Sequence, residues 1–211
     1  MVLRKLTDYD VIIGVDLSFY KSGISVYDPK TEEIISTNNI VISDSSKTRN
    51  MDLYNSLFDY FEEICNIYPN HLIVLESPPM CSHTLTMQAL YGLNSAHALI
   101  QLVFQQLECN NYERTIHAIS HKAVISRLSS IPKVSKEQAR TYVCNRFNLD
   151  ESSMTLDVGD SISVIVALIE KDFNLYLNSL ISKLENHKGN LKRSFAIDKV
   201  NEEIKLIMSL Y

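Results

Sequence analysis

Two short apolar runs of this chain each end in an acidic residue, and this placement restricts the folds that the chain can adopt. The run Val11–Val15 is followed by Asp16, and the run Leu72–Leu75 is followed by Glu76. Short, wholly apolar runs are typical of strands that are covered on both faces of a sheet. A carboxylate at the end of a buried strand is costly to desolvate unless a positive charge compensates it. The sequence therefore predicts an α/β fold with acidic groups at one edge of its sheet.

A second pair of acids, Asp157 and Asp160, opens a later apolar stretch. On a helix, residues three positions apart share a face, with Cβ atoms about 5–6 Å apart. Such a pair is weak evidence by itself, because acids are also favoured near helix N-termini for reasons unrelated to metals. Together with Asp16 and Glu76, however, the pair indicates one shared site for divalent cations. Two Mg²⁺ or Mn²⁺ ions about 3.5–4 Å apart, held by carboxylates, are typical of phosphodiester hydrolysis.

The periodicity of the apolar residues predicts a meander of three antiparallel strands, followed by helices that alternate with parallel strands. Short connections require antiparallel neighbours, whereas a strand reached through a helix is usually parallel to its predecessor. Ser135 and Gln138 form a capping-box signature at the start of one helix. The predicted elements are strands over Val11–Leu17, Gly23–Tyr27, 33–42, Leu72–Leu75 and Arg114–Ile119, and helices from Asp52 to before Pro69, over 84–109, from Ser135 to Phe147 and over Leu156–Ile169.

We expect the 211 residues to form one main domain, residues 1–170, and a C-terminal helical extension, residues 171–211. Neither a signal peptide nor a run of about 20 apolar residues is apparent, so we expect an intracellular protein, in a bacterium or in a virus-infected cell. The cysteines Cys65, Cys81, Cys109 and Cys144 include no C-x-x-C pair, which favours buried thiols over disulfides or a zinc knuckle. A zinc set of Cys81, His83 and His97 is the less favoured alternative.

The basic residues are concentrated in one segment. The net charge is −5, but residues 117–147 contain six Lys or Arg side chains and one acid, Glu137. A local excess of this kind is what contacts with nucleic-acid phosphates require. The competing interpretation is a basic face that is simply solvated.

The order of the acids along the chain resembles that of the RNase H-like nuclease superfamily and, within it, that of the RuvC-type Holliday junction resolvases. The resemblance extends from about Val11 to Glu170 and implies a five-stranded mixed sheet flanked by helices. The segments that carry the resemblance are VIIGVDLSFYKSGISVYD, LIVLES and LDVGDSISVIVAL.

The resemblance implies a Mg²⁺-dependent crossover junction endodeoxyribonuclease, a hydrolase of DNA recombination and repair. Asp16, Glu76, Asp157 and Asp160 would be the metal ligands and catalytic acids, with two Mg²⁺ or Mn²⁺ ions in each active site. Lys136 would help to stabilise charge at the scissile phosphate, with Lys133 as a competing candidate. The residues expected to contact DNA are Lys122, Lys133, Lys136, Arg140, His121 and Met80.

One position departs from the family pattern. Bacterial resolvases place an aromatic residue three positions after the catalytic glutamate, whereas this chain has Pro79 there, followed by Met80. The resemblance also implies branched DNA as the partner and a homodimer, because a four-way junction needs two symmetric cuts. No membrane partner is expected.

Two other functions stay open. A nuclease of the same fold could act on other branched DNA or on RNA, since the metal site would be common to all of them. An actin-like ATPase or sugar kinase also has an acid after its first strand, but it needs glycine-rich phosphate loops, and the five glycines here are not clustered.

Overall fold

A computed structural model describes residues 6–43, 47–76, 86–109, 112–115 and 121–171. The chain divides into two compact units, Met1–Ile169 and Glu170–Tyr211. The described residues belong to the first unit except for the last two. The predicted helical extension therefore lies almost wholly outside the described residues, as do Pro79 and Met80.

The first unit alternates helices and strands after an initial run of three strands. Short 3-10 turns also occur at Leu6–Asp8 and Glu151–Ser153. In chain order the elements are β1 (Val11–Asp16), β2 (Lys21–Asp28), β3 (Glu33–Val41), α1 (Arg49–Ile67), β4 (His71–Glu76), α2 (Met87–Gln106), β5 (Tyr112–Thr115), α3 (His121–Ser129), α4 (Lys136–Arg146) and α5 (156–171).

The strands form one mixed sheet in the order β3-β2-β1-β4-β5. β1 pairs with β2, and β2 with β3, in antiparallel fashion, because the connections between them are too short to allow a crossover. β4 lies parallel to β1, since α1 carries the chain back to the start of the sheet, and β5 lies parallel to β4 in turn. The predicted mixed α/β class is confirmed.

β1 is apolar from Val11 to Val15 because helices cover both of its faces. Val11, Ile13 and Val15 pack in the core that contains the buried residues of α1 and α2. Ile12 faces the other way, into a core with Val164, Ile165 and other residues of α5. Alternate residues of a strand point to opposite faces, so Gly14 and Asp16 lie on the α5 side with Ile12.

Two glycines allow α5 to approach the sheet at backbone distance. A Cβ atom built on Gly14 would lie 2.4 Å from the carbonyl oxygen of Ser161, and one on Gly23 would lie 2.0 Å from the carbonyl oxygen of Asp157. Neither distance is possible for real atoms, so both positions require glycine if the helix is to stay in place. Between them, the buried hydroxyl groups of Ser25 and Ser161 lie 2.5 Å apart. These contacts hold the first turn of α5 over the carboxyl end of β1.

Some element boundaries differ from the sequence-based expectations. α1 begins at Arg49, three residues before the expected start, and β5 covers Tyr112–Thr115 rather than Arg114–Ile119, of which residues 116–120 are not described. Helix α3 was not predicted, because its nine residues are too few to show a clear apolar period. None of the described helices is long and apolar enough to cross a lipid bilayer.

Candidate active site

Asp16 is the last residue of β1 and is partly buried. Its Cα pairs with that of Gly23 across the antiparallel β1–β2 ladder. Gly23 in turn packs on the backbone of Asp157, as the 2.0 Å contact of its hypothetical Cβ shows. Asp16 and Asp157 are therefore both neighbours of the same glycine, although 141 positions separate them in the chain. The expectation that the first-strand acid meets the helix acids agrees with this geometry.

Asp160 lies one turn further along α5 and is almost completely buried. Its carboxylate oxygen Oδ2 is 2.5 Å from the ammonium nitrogen Nζ of Lys136, and 3% of its side chain is exposed. Because a buried carboxylate must be compensated, this ion pair is what allows Asp160 to stay charged at the edge of the core.

Lys136 reaches Asp160 because α4 begins at Lys136 and packs against α5. The helix starts with the predicted capping box: the hydroxyl oxygen of Ser135 accepts a hydrogen bond from the Gln138 amide at 3.2 Å, and the Ser135 amide donates to Gln138 Oε1 at 2.9 Å. One turn on, Arg140 lies against Gly159, where a Cβ atom would be 3.1 Å from Arg140 Cβ. The capping box is confirmed, and it sets the position of the lysine.

The electrostatics of Lys136 show that three acids act on it. Burial disfavours its charged form, but the hydrogen bond that it donates to Asp160, together with the negative charges of Asp160, Asp16 and Asp157, raises its pKa above the ordinary value. Asp160 contacts the ammonium group directly, and Asp16 and Asp157 are close enough to act on it through their charge. In the described part of the chain, the predicted acids of β1 and α5 thus interact with the same side chain, that of Lys136.

Glu76 is the last residue of β4, and its side chain lies outside the described part of the structure. The parallel register pairs Val15 with Leu75. Asp16 and Glu76 are the next residues of these two neighbouring strands. The fourth acid therefore stands at the carboxyl end of the strand next to β1. Its role as a ligand stays a prediction.

The predicted DNA-contacting residues differ in exposure and in the bonds that they make within the chain. Lys133 is exposed in the turn between α3 and α4, where its φ is 53°, and Lys122 is partly buried on α3. Arg140 donates hydrogen bonds to the carbonyl of Met154 at 3.3 Å and to Glu151 at 3.2 Å, contacts that join α4 to the segment before α5. The side chain of His121 is outside the described residues, as is all of Met80.

Sequence reasoning missed one cluster, formed by Cys65, His71 and Cys109. It lies at the opposite end of β4 from Glu76. The three residues come from a helix, a strand and a loop, so their spacing matches no recognised metal-binding motif. Of the alternative zinc set, Cys81 and His83 are outside the described residues, and His97 is buried in α2.

No protein-family model matches the sequence, and no curated protein matches it either. Solved structures do match. Thermus thermophilus RuvC in complex with a Holliday junction substrate superimposes with a TM-score of 0.56 and 11% identity, covering 74% of this chain and 90% of that one.

Two further structures agree with this result. Thermus thermophilus RuvC alone gives a TM-score of 0.54 at 12% identity over 74% of this chain and 92% of that one. The yeast mitochondrial Holliday junction resolvase Ydc2 gives 0.53 at 13% identity, with 78% and 80% covered. At such low identity the likeness is one of fold. The resemblance seen in the sequence is confirmed at that level: this chain has the fold of the RuvC-type Holliday junction resolvases.

Proposed function

We propose that this protein is a metal-dependent endodeoxyribonuclease that cuts four-way DNA junctions at symmetric positions. The observation that carries the proposal is the group of three carboxylates, Asp16, Asp157 and Asp160, acting on one ammonium group, Lys136. The fold shared with two junction resolvases supports the same substrate class.

The acids fit a site for Mg²⁺ or Mn²⁺. Both ions prefer carboxylate oxygens, and the burial of Asp160 gives its charge little solvent to compensate it. Asp16, Asp157 and Asp160, with Glu76 from the neighbouring strand, would hold the ions. When bound, a pair of such ions supplies an activated water and stabilises the leaving oxyanion.

Lys136 has two roles in this proposal. Its ammonium group keeps Asp160 ionised, and thus ready to act as a ligand. Because 42% of its side chain is exposed, Lys136 would also be able to contact a phosphate. A charged donor beside the scissile phosphate stabilises the negative charge that develops on the phosphate oxygens.

The basic segment 117–147 would bind the DNA backbone next to the acids. Lys133 and Lys122 lie in this segment, and phosphate contacts from such lysines supply affinity and register rather than sequence choice. His121 and Met80 stay candidates from sequence alone. Arg140 is the weaker candidate, since its guanidinium already binds Met154 and Glu151.

Two symmetric cuts require two active sites, so we propose that the protein acts as a homodimer with two-fold symmetry. A dimer also places two basic segments on opposite arms of the junction. The measurement that checks this step is the mass of the protein alone and of its junction complex in solution.

The decisive experiment compares cleavage of a synthetic mobile four-way junction, a flap and an RNA/DNA hybrid, each with Mg²⁺ and with EDTA. We expect paired cuts at symmetric positions in the junction only, and only with Mg²⁺. Cleavage of the flap or the hybrid but not of the junction would favour a nuclease of the same fold with another substrate. ATP hydrolysis without any nuclease activity would favour the actin-like alternative.

A further inference from the structure

Three side chains that can bind metals meet at the end of the sheet opposite to the acids. Cys65 is in the last turn of α1, His71 is the first residue of β4, and Cys109 follows α2. The Sγ atom of Cys65 lies 3.5 Å from Nε2 of His71 and 3.5 Å from Sγ of Cys109. All three ligand atoms lie within 4.8 Å of one another.

The two separations from Cys65, each 3.5 Å, fit a tetrahedral zinc ion. With Zn–S bonds of about 2.3 Å and Zn–N bonds of about 2.0–2.1 Å, the ligand atoms of a tetrahedron stand about 3.5–3.8 Å apart. Two thiol sulfurs and an imidazole nitrogen are also the soft ligands that favour zinc over magnesium. A disulfide between Cys65 and Cys109 would need the sulfurs about 2.05 Å apart and would make no use of His71.

The imidazole of His71 is oriented as a metal ligand. Its Nδ1 atom lies 2.7 Å from the carbonyl oxygen of Tyr68, which can only accept a hydrogen bond, so Nδ1 carries the proton. The lone pair of the neutral ring is then on Nε2, the atom that faces Cys65. Histidines that bind metals usually have this support, a second ring nitrogen that donates to a backbone carbonyl or a carboxylate.

The cluster is largely shielded from solvent. His71 and Cys109 are each 6% exposed, whereas Cys65 is partly exposed. The thiolate is the form of cysteine that binds zinc, so the two thiols would release their protons when the ion binds.

We propose that Cys65, His71 and Cys109 form a Zn²⁺ site in which a water molecule completes the four-coordinate shell. The ion would join the end of α1, the start of β4 and the segment after α2. The first and last residues of β4 are about 16 Å apart at about 3.3 Å per residue, so this site is separate from the proposed nuclease site. It does not depend on the proposed function.

The first test measures bound zinc by mass spectrometry after loading under reducing conditions and removal of excess metal. The double variant Asp16→Asn/Asp160→Asn serves as the background, because zinc could also enter the carboxylate site. We expect about one zinc per chain, lost on Cys65→Ser or Cys109→Ser. Cys144→Ser, which removes another buried thiol, is the matched control and should keep its zinc. Zinc retained by both cluster variants would overturn the proposal.

The second test needs no cluster variant and so does not depend on their folding. Co²⁺ is added to the reduced double variant, and the absorption spectrum is recorded. We expect thiolate-to-cobalt charge-transfer bands together with the visible bands of tetrahedral cobalt, and their loss when Zn²⁺ is added. A spectrum without charge-transfer bands would contradict the proposal. So would freshly purified protein in which Cys65 and Cys109 are joined by a disulfide.

Discussion

The ammonium group of Lys136 lies 2.5 Å from the carboxylate of Asp160 and joins the N-terminus of α4 to the first turns of α5. The acid is buried and the lysine is partly exposed, so the pair extends from the core to the surface on which DNA would lie. The lysine compensates the charge of the buried acid, and the acid holds the lysine in position.

Replacing Lys136 by methionine should destabilise the protein in the absence of metal. Asp160 would lose the ammonium group that compensates its buried charge, and removing one partner of a buried ion pair costs about 3–5 kcal/mol. Mg²⁺ should restore stability to this variant more than it stabilises the unchanged protein, because the ion would supply the missing positive charge. Thermal unfolding with and without Mg²⁺ measures both effects.

Lys30→Met is the matched control for that experiment. Lys30 pairs with Asp10 at 3.2 Å, but both side chains are well exposed, and exposed ion pairs contribute little. We expect little change in its unfolding temperature. An equal loss of stability in the two variants would show that the Lys136–Asp160 pair has no special role.

Asp16→Asn should abolish cleavage while leaving junction binding intact. Loss of a residue that merely supports a metal ligand costs about 10–100-fold, so loss of the ligand itself should cost about 100-fold or more. Stability should stay unchanged or rise, because one of three crowded negative charges is removed. The measurements are single-turnover cleavage, junction binding in Ca²⁺ and thermal unfolding.

Asp59→Asn is the control, since Asp59 is an exposed acid on α1, on the opposite face of the sheet. It should cut as the unchanged protein does. Mg²⁺-dependent cleavage by purified Asp16→Asn at the normal rate would eliminate the proposed site.

Gly23→Ala adds only one methyl group, but it should impair cleavage strongly. The new methyl group would fall 2.0 Å from the carbonyl oxygen of Asp157, so the first turn of α5 would have to move away from the end of β1. We expect a loss of about 1–3 kcal/mol from overpacking and a loss of cleavage, since Asp157 and Asp160 move with the helix. Chemical denaturation and cleavage assays are the measurements.

Gly92→Ala makes the same change where there is room. A Cβ atom at Gly92 would lie 3.5 Å from Phe19, an ordinary contact, and the position is inside α2. Replacing a helical glycine by alanine should stabilise the protein by about 0.4–1 kcal/mol and leave cleavage unchanged. If Gly23→Ala were as harmless as Gly92→Ala, the close packing of α5 on β2 would be wrong.

Lys133→Asn should weaken binding to four-way junctions of any sequence and reduce the slope of log affinity against log salt by about 1. Asparagine is the chosen replacement because it tolerates the positive φ at this position. Lys47→Asn, an exposed lysine outside the basic segment, is the control. A salt slope that is the same in both variants and in the unchanged protein would exclude Lys133 as a phosphate contact.

Local patterns along the chain were sufficient to predict most elements. The alternation and length of the apolar runs predicted β1, β2 and β4, and the Ser135 capping box predicted the start of α4, because both signals arise from neighbours in sequence. The boundaries of α1 and β5 were less accurate. Helix α3 was missed, since nine residues carry too little periodicity to distinguish a helix from a loop.

The same local reasoning identified Asp16, Asp157 and Asp160 from the ends of strands and the spacing on a helix. It also ranked Arg140 with the DNA-contacting residues, because in a sequence all basic side chains in a segment look alike. Its bonds to Met154 and Glu151 appear only when α4 is placed beside the segment before α5. Packing thus distinguishes Arg140, which has partners within the chain, from the exposed Lys133, and both stay predictions as DNA contacts.

The sequence by itself determined the types of element, their order and the acids at their ends, because these depend on residues that are neighbours in the chain. Only the tertiary structure decided that Gly23 supports Asp157 beside Asp16, that Lys136 pairs with Asp160, and that Cys65, His71 and Cys109 meet. These contacts join residues far apart in sequence. They exist because the apolar faces of the sheet and helices can be buried in one arrangement, and the polar groups at the edges of that core are brought together by it.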